Sequence, residues 1–171
     1  PVFEKIDLKE SQSVVELLVR HSNVSGVIHF AASKSVGESV NDPVKYYENN
    51  IHSLVYLLRE LNKFVASKLI FSSSCTVYGQ ADELPITEQA QVKEAESPYG
   101  NTKKVGEQII KDTCSANKSL NTIALRYFNP IGAHKSANIG ELPIGTPQNL
   151  VPFVTQTGIG LREKLSIYGN D

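Results

Sequence analysis

A tyrosine and a lysine lie four residues apart at Tyr99 and Lys103, directly behind Ser97 and Pro98. At this spacing two side chains leave the same face of an α-helix, about one turn apart. A phenol has a pKa near 10 and is a poor base at neutral pH, but a cation within about 4–6 Å favours the phenolate. Lys103 supplies one such cation, and together with a second one it could bring the tyrosine into the range of a general base toward an alcohol. The pattern is equally typical of a half-buried tyrosine beside a solvated lysine.

Three consecutive serines, Ser72, Ser73 and Ser74, follow the apolar run at residues 68–71. In parallel sheets ligands bind outside the carboxyl ends of the strands. A hydroxyl there can both donate and accept a hydrogen bond and can therefore relay a proton. The alternative is that the serines only end a strand and begin a loop. On the chemical interpretation, a phenol, an amine and a hydroxyl converge at one edge of the sheet.

Two further positions invite a chemical interpretation. Asp7 ends a predicted strand and could accept a hydrogen bond from an adenine amino group, while the N–H of Leu8 would suit a ring nitrogen. An acidic residue at a strand end can equally be a cap. His29 lies inside an apolar run and is interpreted as a core residue, and no histidine or cysteine spacing predicts a metal site.

The elements that must position these residues alternate along the chain. Short apolar runs predict strands at 2–8, 26–33, 68–74, 121–129 and 165–170, and periodic segments predict helices at 11–22, 42–64, 97–117 and 149–163. Strands alternating with helices predict a parallel sheet of the α/β class. The continuous apolar run at 26–33 predicts a buried strand, whereas residues 80–96 and 130–148 predict surface loops.

Helix-start signals support two of these helices. Asp42 and Ser97 are predicted N-caps, and Pro43 and Pro98 occupy the first helical positions. The helix that begins at Pro43 has one predicted apolar stripe, which consists of Val44, Tyr47, Ile51, Leu54, Leu58 and Leu61.

The composition excludes several classes of protein. The 171 residues are 40% apolar and 20% charged with a net charge of −1, so a globular protein without a nucleic-acid partner is expected. No apolar run approaches the roughly 18 residues that span a bilayer. The two cysteines are far apart, which favours a reducing, cytoplasmic location. The chain contains no methionine, and we expect it to be a piece of a longer protein.

Several motifs occur together and in a fixed order. They are VIHFAASKSVGESV (27–40), YYENN (46–50), FSSSCTVYG (71–79), SPYGNTK (97–103), LRYFNPIGAH (125–134), GTPQNLVPF (145–153) and LREKLSIYGND (161–171). Their combination resembles the extended short-chain dehydrogenase/reductases and, within them, the UDP-glucose 4-epimerase family. The resemblance implies a Rossmann-type parallel sheet with flanking helices that lacks the first βαβ unit. Residues 1–130 would be a partial NAD-binding domain, and residues 131–171 would begin a smaller UDP-sugar-binding region.

The same resemblance implies roles for individual residues. Tyr99 matches the catalytic base, Lys103 the lysine that holds the nicotinamide ribose, and Ser74 the serine between the sugar 4-hydroxyl and the tyrosine. Further matches to cofactor contacts are Asp7, Leu8, Phe30, Ala31, Ala32, Ser33, Lys34, Asn49, Ser72, Tyr127 and Phe128. Matches to substrate contacts, besides Ser74 and Tyr99, are Asn129, Asn149, Leu150, Ser166 and Tyr168.

The implied activity is NAD-dependent epimerisation at C4 of a UDP-hexose through a 4-keto intermediate, in a homodimer formed by helices 43–63 and 97–117. The chain departs modestly from the family at several positions, such as Cys75 where the family has alanine, and no G-x-x-G-x-x-G fingerprint occurs in it. A nucleotide-sugar 4,6-dehydratase or decarboxylase is an alternative, although it would place an acidic pair where Cys75 and Thr76 stand. The remaining alternative is a non-catalytic fragment without bound cofactor.

Overall fold

A computed structural model describes residues 1–63, 68–167 and 169. They fall into two compact units, Pro1–Phe128 and Asn129–Asp171. The first unit contains three strands, β1 (Val27–His29), β2 (Lys68–Ser72) and β3 (Asn121–Leu125), and four helices, α1 (Ser11–Arg20), α2 (Val36–Asn41), α3 (Pro43–Leu61) and α4 (Pro98–Ala116). The second contains α5 (Leu150–Gly158).

The described strands form one parallel sheet in the order β1-β2-β3. Each neighbouring pair is joined through a long helix, α3 between β1 and β2 and α4 between β2 and β3. This is the connection that parallel strands require. The predicted α/β class with flanking helices is therefore confirmed.

Both long helices begin at the predicted caps. The Asp42 side chain accepts a hydrogen bond from the backbone N–H of Lys45, and the Ser97 hydroxyl accepts one from Gly100. Proline occupies the following position in each helix, where a missing N–H costs no intrahelical bond. Ser97 therefore fixes where α4 starts, and with it the position of Tyr99 in the first turn.

The core lies on one face of the sheet. Leu69 and Phe71 of β2 pack in a single apolar cluster with Leu18 of α1, Leu54 of α3 and Ile110 of α4. Burying each such side chain stabilises the fold by about 1.5–3 kcal/mol. Since α3 and α4 also pack against each other, the sheet and its two long helices form one rigid support.

The opposite face of the sheet is exposed, whereas the sequence predicted a strand at 26–33 that is buried. Ile28 of β1 and Ile123 of β3 are each 58% exposed, and they align with Ile70 of β2 in one row. Residues of a strand alternate between faces, and α1, α3 and α4 pack against the face that carries Leu69 and Phe71. Residues 26–33 also form only a three-residue strand.

Other predicted elements were wrong or displaced. Residues 2–8 and 165–167 are not strands, because a strand persists only when a neighbour pairs with its backbone groups. Tyr168 and the end of the predicted strand at 165–170 lie outside the described residues. The α3 stripe is also rotated: Leu54, Leu58 and Leu61 are buried, whereas Val44 and Tyr47 are exposed. The short helix α2 and the 3₁₀ turn at Cys75–Tyr78 were not predicted.

The second unit is mostly irregular, as residues 130–148 predicted. Asn149 precedes α5, and its side-chain amide donates a hydrogen bond to Glu141 at 2.7 Å. After the helix, the Arg162 guanidinium donates to the Gln156 side chain and lies 5.0 Å from the centre of the Phe153 ring. These contacts organise the unit around α5.

Candidate functional site

Lys103 is the most deeply buried charged group at the edge of the sheet. Its side chain is 4% exposed, and its ammonium donates a hydrogen bond to the backbone carbonyl of Ser72 at 2.8 Å. The same nitrogen lies 5.8 Å from the centre of the Tyr99 ring and 5.1 Å from that of Phe71. The predicted helical pair therefore projects onto the carboxyl end of β2, beside the serines.

Burial governs the ionisation of both members of this pair. Burial lowers the pKa of the Lys103 ammonium to about 8. Burial also raises the pKa of the Tyr99 phenol, the neighbouring Ser74 hydroxyl opposes that rise, and Cys75 adds to it. In this structure the charge of Lys103 alone therefore does not offset the effect of burial on the phenol. A further positive charge beside the ring is required before Tyr99 can act as a base near neutral pH.

Ser74 lies between β2 and the 3₁₀ turn at Cys75–Tyr78. It is buried, and its hydroxyl accepts a hydrogen bond from the backbone N–H of Thr76 at 3.3 Å. The turn approaches α4 at Gly100, where an added Cβ would lie 3.2 Å from the Cβ of Thr76. The absence of a side chain directly after Tyr99 thus allows the serine segment to lie against the helix that carries the phenol.

A cavity of about 310 Å³ lies in the first unit, beside the segment that follows β1 and against α3. Four predicted cofactor contacts line it together: Asp7, Leu8, Ala31 and Asn49. The Asp7 carboxylate is exposed and accepts a hydrogen bond from the N–H of Lys9 at 2.9 Å. Beside the apolar side chains of Ile6, Leu8 and Ala31, this carboxylate could accept a hydrogen bond from the exocyclic amine of a nucleobase.

Asn50 connects the segment after β1 to both long helices, and sequence reasoning missed it. Its side-chain amide accepts a hydrogen bond from the N–H of Ser33 at 2.8 Å and donates one to the Ser33 carbonyl at 3.0 Å. It also donates to the Thr102 hydroxyl on α4, and Thr102 donates to the Tyr99 carbonyl. The neighbouring Asn49, which was predicted, reaches only the Ser33 hydroxyl and Asn50 itself.

Glu107 was also missed, although it extends the spacing of Tyr99 and Lys103 by one more helical turn. Its carboxylate accepts a hydrogen bond from the buried hydroxyl of Ser73 at 2.5 Å. It also forms a two-pronged ion pair with Arg126, with nitrogen–oxygen distances of 2.9 and 2.7 Å. A third acidic or polar residue at i+8 of a helix is the sequence signal that could have found it.

The remaining predicted cofactor residues are more exposed. The Tyr127 carbonyl accepts a hydrogen bond from the N–H of Cys75 at 2.9 Å, while the side chains of Tyr127, Phe128, Phe30 and Lys34 are open to solvent. Ala32 is half-buried. Their backbone places them near the strand ends, but no side-chain contact joins them to Tyr99 in the described part of the chain.

The predicted substrate residues 129, 149, 150 and 166 belong to the second unit. Asn129, Leu150 and Ser166 are exposed there, and Asn149 is half-buried beside α5. Tyr168, the partner predicted for Ser166, lies outside the described residues.

The family model described as the NAD dependent epimerase/dehydratase family matches residues 2–144. The chain belongs to this family. The match includes Tyr99, Lys103, the serine cluster and the cavity at Asp7, so the geometry described above lies within the part of the chain that the family defines.

Individual members of the family are similar over nearly the whole chain. A UDP-glucose 4-epimerase of Yersinia enterocolitica is 49% identical over 160 residues, 94% of this chain and 48% of that protein. The Bos taurus UDP-glucose 4-epimerase is 45% identical over 169 residues. The chain thus spans about half the length of the curated relatives it matches.

Solved structures agree with this similarity. The crystal structure of UDP-glucose 4-epimerase from Bifidobacterium longum in complex with NAD+ and UDP has a TM-score of 0.89 and 42% identity. The match covers 97% of this chain and 49% of the chain in that structure. The structure from Stenotrophomonas maltophila, with bound NAD and formylated UDP-arabinopyranose, has a TM-score of 0.90 and 43% identity. These matches support the Rossmann-type interpretation of the parallel sheet.

The described residues contain neither a helix suited to a membrane nor a group of metal ligands. None of their helices is both long and apolar enough to cross a membrane. Nor do their histidine, cysteine, aspartate and glutamate side chains gather in a group of three that could hold a metal ion.

Proposed function

We propose that this chain carries the base and cofactor side of an NAD-dependent isomerase that inverts C4 of a UDP-hexose such as UDP-glucose or UDP-galactose. The observation that carries the proposal is the meeting of Tyr99, Lys103 and the Ser72–Ser74 segment at the carboxyl end of β2. The similarity to UDP-glucose 4-epimerases over nearly the full chain supports the same assignment.

The residues present fit parts of NAD. Asp7 and Leu8 in the 310 Å³ cavity would hold the adenine end, and Lys103 would hold the nicotinamide ribose. An ammonium has three donors, and one of them is used by the Ser72 carbonyl, so two are left for ribose hydroxyls. The chain does not contain the glycine-rich turn that binds the pyrophosphate in this class of fold.

The chain's own residues would handle protons rather than electrons. A bound NAD would accept the hydride from C4 and later give the hydride back to C4. Its positive ring would also be the second cation that the Tyr99 phenol needs, because burial alone raises the pKa of that phenol. Tyr99 would take the proton of the sugar 4-hydroxyl, with the Ser74 hydroxyl between them. After the 4-keto sugar has turned its opposite face toward the cofactor, Tyr99 would return the proton. Lys103 holds the phenolate by its charge.

A 4,6-dehydratase or decarboxylase of the same family is a weaker candidate. Elimination of water requires an additional acid and base near the sugar. The positions after Ser74 are Cys75, Thr76 and Val77, and none of them is acidic. The half-buried Cys75 lies close enough to Tyr99 to raise the pKa of the phenol.

The experiment measures NAD binding and the conversion of UDP-galactose to UDP-glucose by the protein that carries this chain. Replacing Tyr99 with Phe should lower turnover by at least about 10²–10⁴-fold, the usual contribution of a general base. Tyr56→Phe is the matched control, because Tyr56 packs under Arg59 on α3, away from Lys103, and should retain activity.

Three results would contradict the proposal. Full activity of Tyr99→Phe would remove the assigned base. A 4-keto-6-deoxy product would favour the dehydratase, and a wild-type protein that neither binds NAD nor converts sugar would favour a non-catalytic fragment.

The division of labour between the two units is part of the proposal. Residues 1–130 form the partial NAD-binding domain, and residues 131–171 begin the UDP-sugar-binding region, to which Asn129, Asn149, Leu150, Ser166 and Tyr168 contribute contacts. Replacing Asn149 with Ala should weaken UDP binding without changing NAD binding, as titration calorimetry with each nucleotide would measure.

We also propose a homodimer formed through α3 and α4, in the cytoplasm. Two exposed side chains near the start of α3, Val44 at 73% exposure and Tyr47 at 37%, support an interface there. The two cysteines are unpaired, which suits a reducing compartment. Sedimentation at several concentrations tests the dimer, and Val44→Asp should shift the protein to monomer; a wild type that is monomeric throughout contradicts it.

A further inference from the structure

Glu107 occupies the point where three separate segments of the first unit meet. Tyr99, Lys103 and Glu107 are spaced four residues apart on α4 and so share one helix face. The Glu107 carboxylate binds Ser73 from the end of β2 and Arg126 from the end of β3. Its side chain is only 15% exposed, and that of Arg126 is 23% exposed. The carboxylate therefore joins the ends of both strands to the helix of the candidate base.

The contacts around this ion pair reach Ser74 from both directions. Ser73 is adjacent to Ser74 in the chain, so its bond to Glu107 restrains the serine segment directly. Arg126 is adjacent to Tyr127, whose carbonyl accepts a hydrogen bond from the N–H of Cys75. Ser74 thus lies between two restrained neighbours: Ser73 hydrogen-bonds Glu107 directly, and Cys75 hydrogen-bonds the residue that follows Arg126.

The geometry of the pair is suited to fixing a position. Arg126 binds both oxygens of the carboxylate, and two-pronged arginine–carboxylate pairs restrict orientation as well as distance. The guanidinium also lies 4.8 Å from the centre of the Tyr78 ring, at the end of the 3₁₀ turn that follows Ser74. The turn is consequently held at both of its ends.

We infer that Glu107 is a positioning residue, which acts through Ser73 and Arg126 to hold Ser74 at the start of the turn that lies against α4 directly after Tyr99. This inference deepens the proposed function and rests on it for the importance of the phenol. No reacting group is assigned to Glu107 itself, because it contacts the serine segment and Arg126 rather than Tyr99.

Titration of Tyr99 in the protein that carries this chain tests the inference through the sign of a shift. The Ser74 hydroxyl lowers the pKa of the Tyr99 phenol, so withdrawing it should raise that pKa. Removing the Glu107 charge has the opposite electrostatic effect, because a carboxylate disfavours a nearby phenolate and its loss favours one. A rise of the pKa in Glu107→Gln is therefore opposite in sign to the electrostatic effect of the substitution and is the shift expected when the hydroxyl is displaced.

The measurement uses carbon-13-labelled tyrosine, and the signal that disappears in Tyr99→Phe is assigned to Tyr99. Asp112→Asn is the matched control, since it makes the same change from acid to amide on the exposed side of α4. We expect an upward shift of the Tyr99 titration in Glu107→Gln and none in Asp112→Asn. An unchanged or lowered titration in a folded Glu107→Gln variant overturns the inference.

Ser73→Ala provides a second variant that keeps the ion pair and all charges. It should shift the Tyr99 titration in the same direction by less, and it decides the matter if Glu107→Gln does not fold; no shift in Ser73→Ala then overturns the inference. The titration reports the surroundings of the phenol whether or not the protein turns over a sugar. A wild type without epimerase activity would therefore remove the proposed function while the shift still supported the positioning role.

Discussion

Replacing Lys103 with Met should change how the stability of the protein depends on pH. The pKa of this ammonium is lowered from 10.5 to about 8 because the group is buried. At neutral pH the folded protein therefore holds the charged Lys103 ammonium away from water, which lowers the free energy of unfolding. Between pH 8 and 10.5 the folded state has released this proton and the unfolded state still holds it, so the free energy of unfolding rises with pH.

The size of the effect follows from the same two values. The difference between 10.5 and about 8 is roughly 2.5 pH units, and each unit corresponds to about 1.36 kcal/mol, which gives a total of about 3 kcal/mol. This contribution of Lys103 to the free energy of unfolding is fully present above pH 10.5 and is lost as the pH falls through 8. Lys103→Met has no such proton and should lack this part of the pH dependence.

Urea unfolding at pH 7, 8, 9 and 10 measures the prediction. The wild type should gain up to about 3 kcal/mol relative to Lys103→Met across this range. Lys111→Met is the matched control, because Lys111 is exposed on the same helix, and its profile should run parallel to the wild type. Parallel profiles for the wild type and Lys103→Met would refute the argument that burial controls this amine.

Two other predictions concern stability. Burial lowers the pKa of His29 to about 4, so acidification from pH 6.5 to 4 should cost up to about 3 kcal/mol of unfolding free energy, and His29→Leu should flatten that part of a urea-measured profile. Gly106→Ala should lose about 1–2 kcal/mol, because its Cβ would lie 2.9 Å from Phe71 and 3.2 Å from Leu54. An added Cβ at Gly37 would have no atom within 4 Å, so Gly37→Ala should raise the free energy of unfolding by up to about 1 kcal/mol. Equal urea midpoints for Gly106→Ala and Gly37→Ala would contradict this.

The local features of the fold were predictable because they depend on neighbouring residues alone. Ser97 and Pro98 start α4 where the sequence placed it, since an N-cap bond and a fixed proline φ involve only the first helical turn. The spacing of Tyr99 and Lys103 put both on one helix face for the same reason. Alternation of apolar runs with periodic segments was enough to predict parallel strands.

The wrong predictions share a physical cause, which is dependence on a partner distant in the chain. Residues 2–8 have the composition of a strand but no paired neighbour in the described structure, and Ile28 has the hydropathy of a core residue but lies on the face without helices. Spacing likewise reveals the cation near Tyr99 but not the burial that raises the pKa of its phenol.

The sequence by itself determined the order of the elements, the helix starts and the types of group near the sheet edge. Only the tertiary structure decided which of those groups meet. Asn50 reaches Thr102 across 52 residues, and Glu107 joins Ser73, 34 residues before it, to Arg126, 19 residues after it. Local periodicity is fixed by bond geometry within a few residues, whereas such contacts exist only after the sheet and helices have packed.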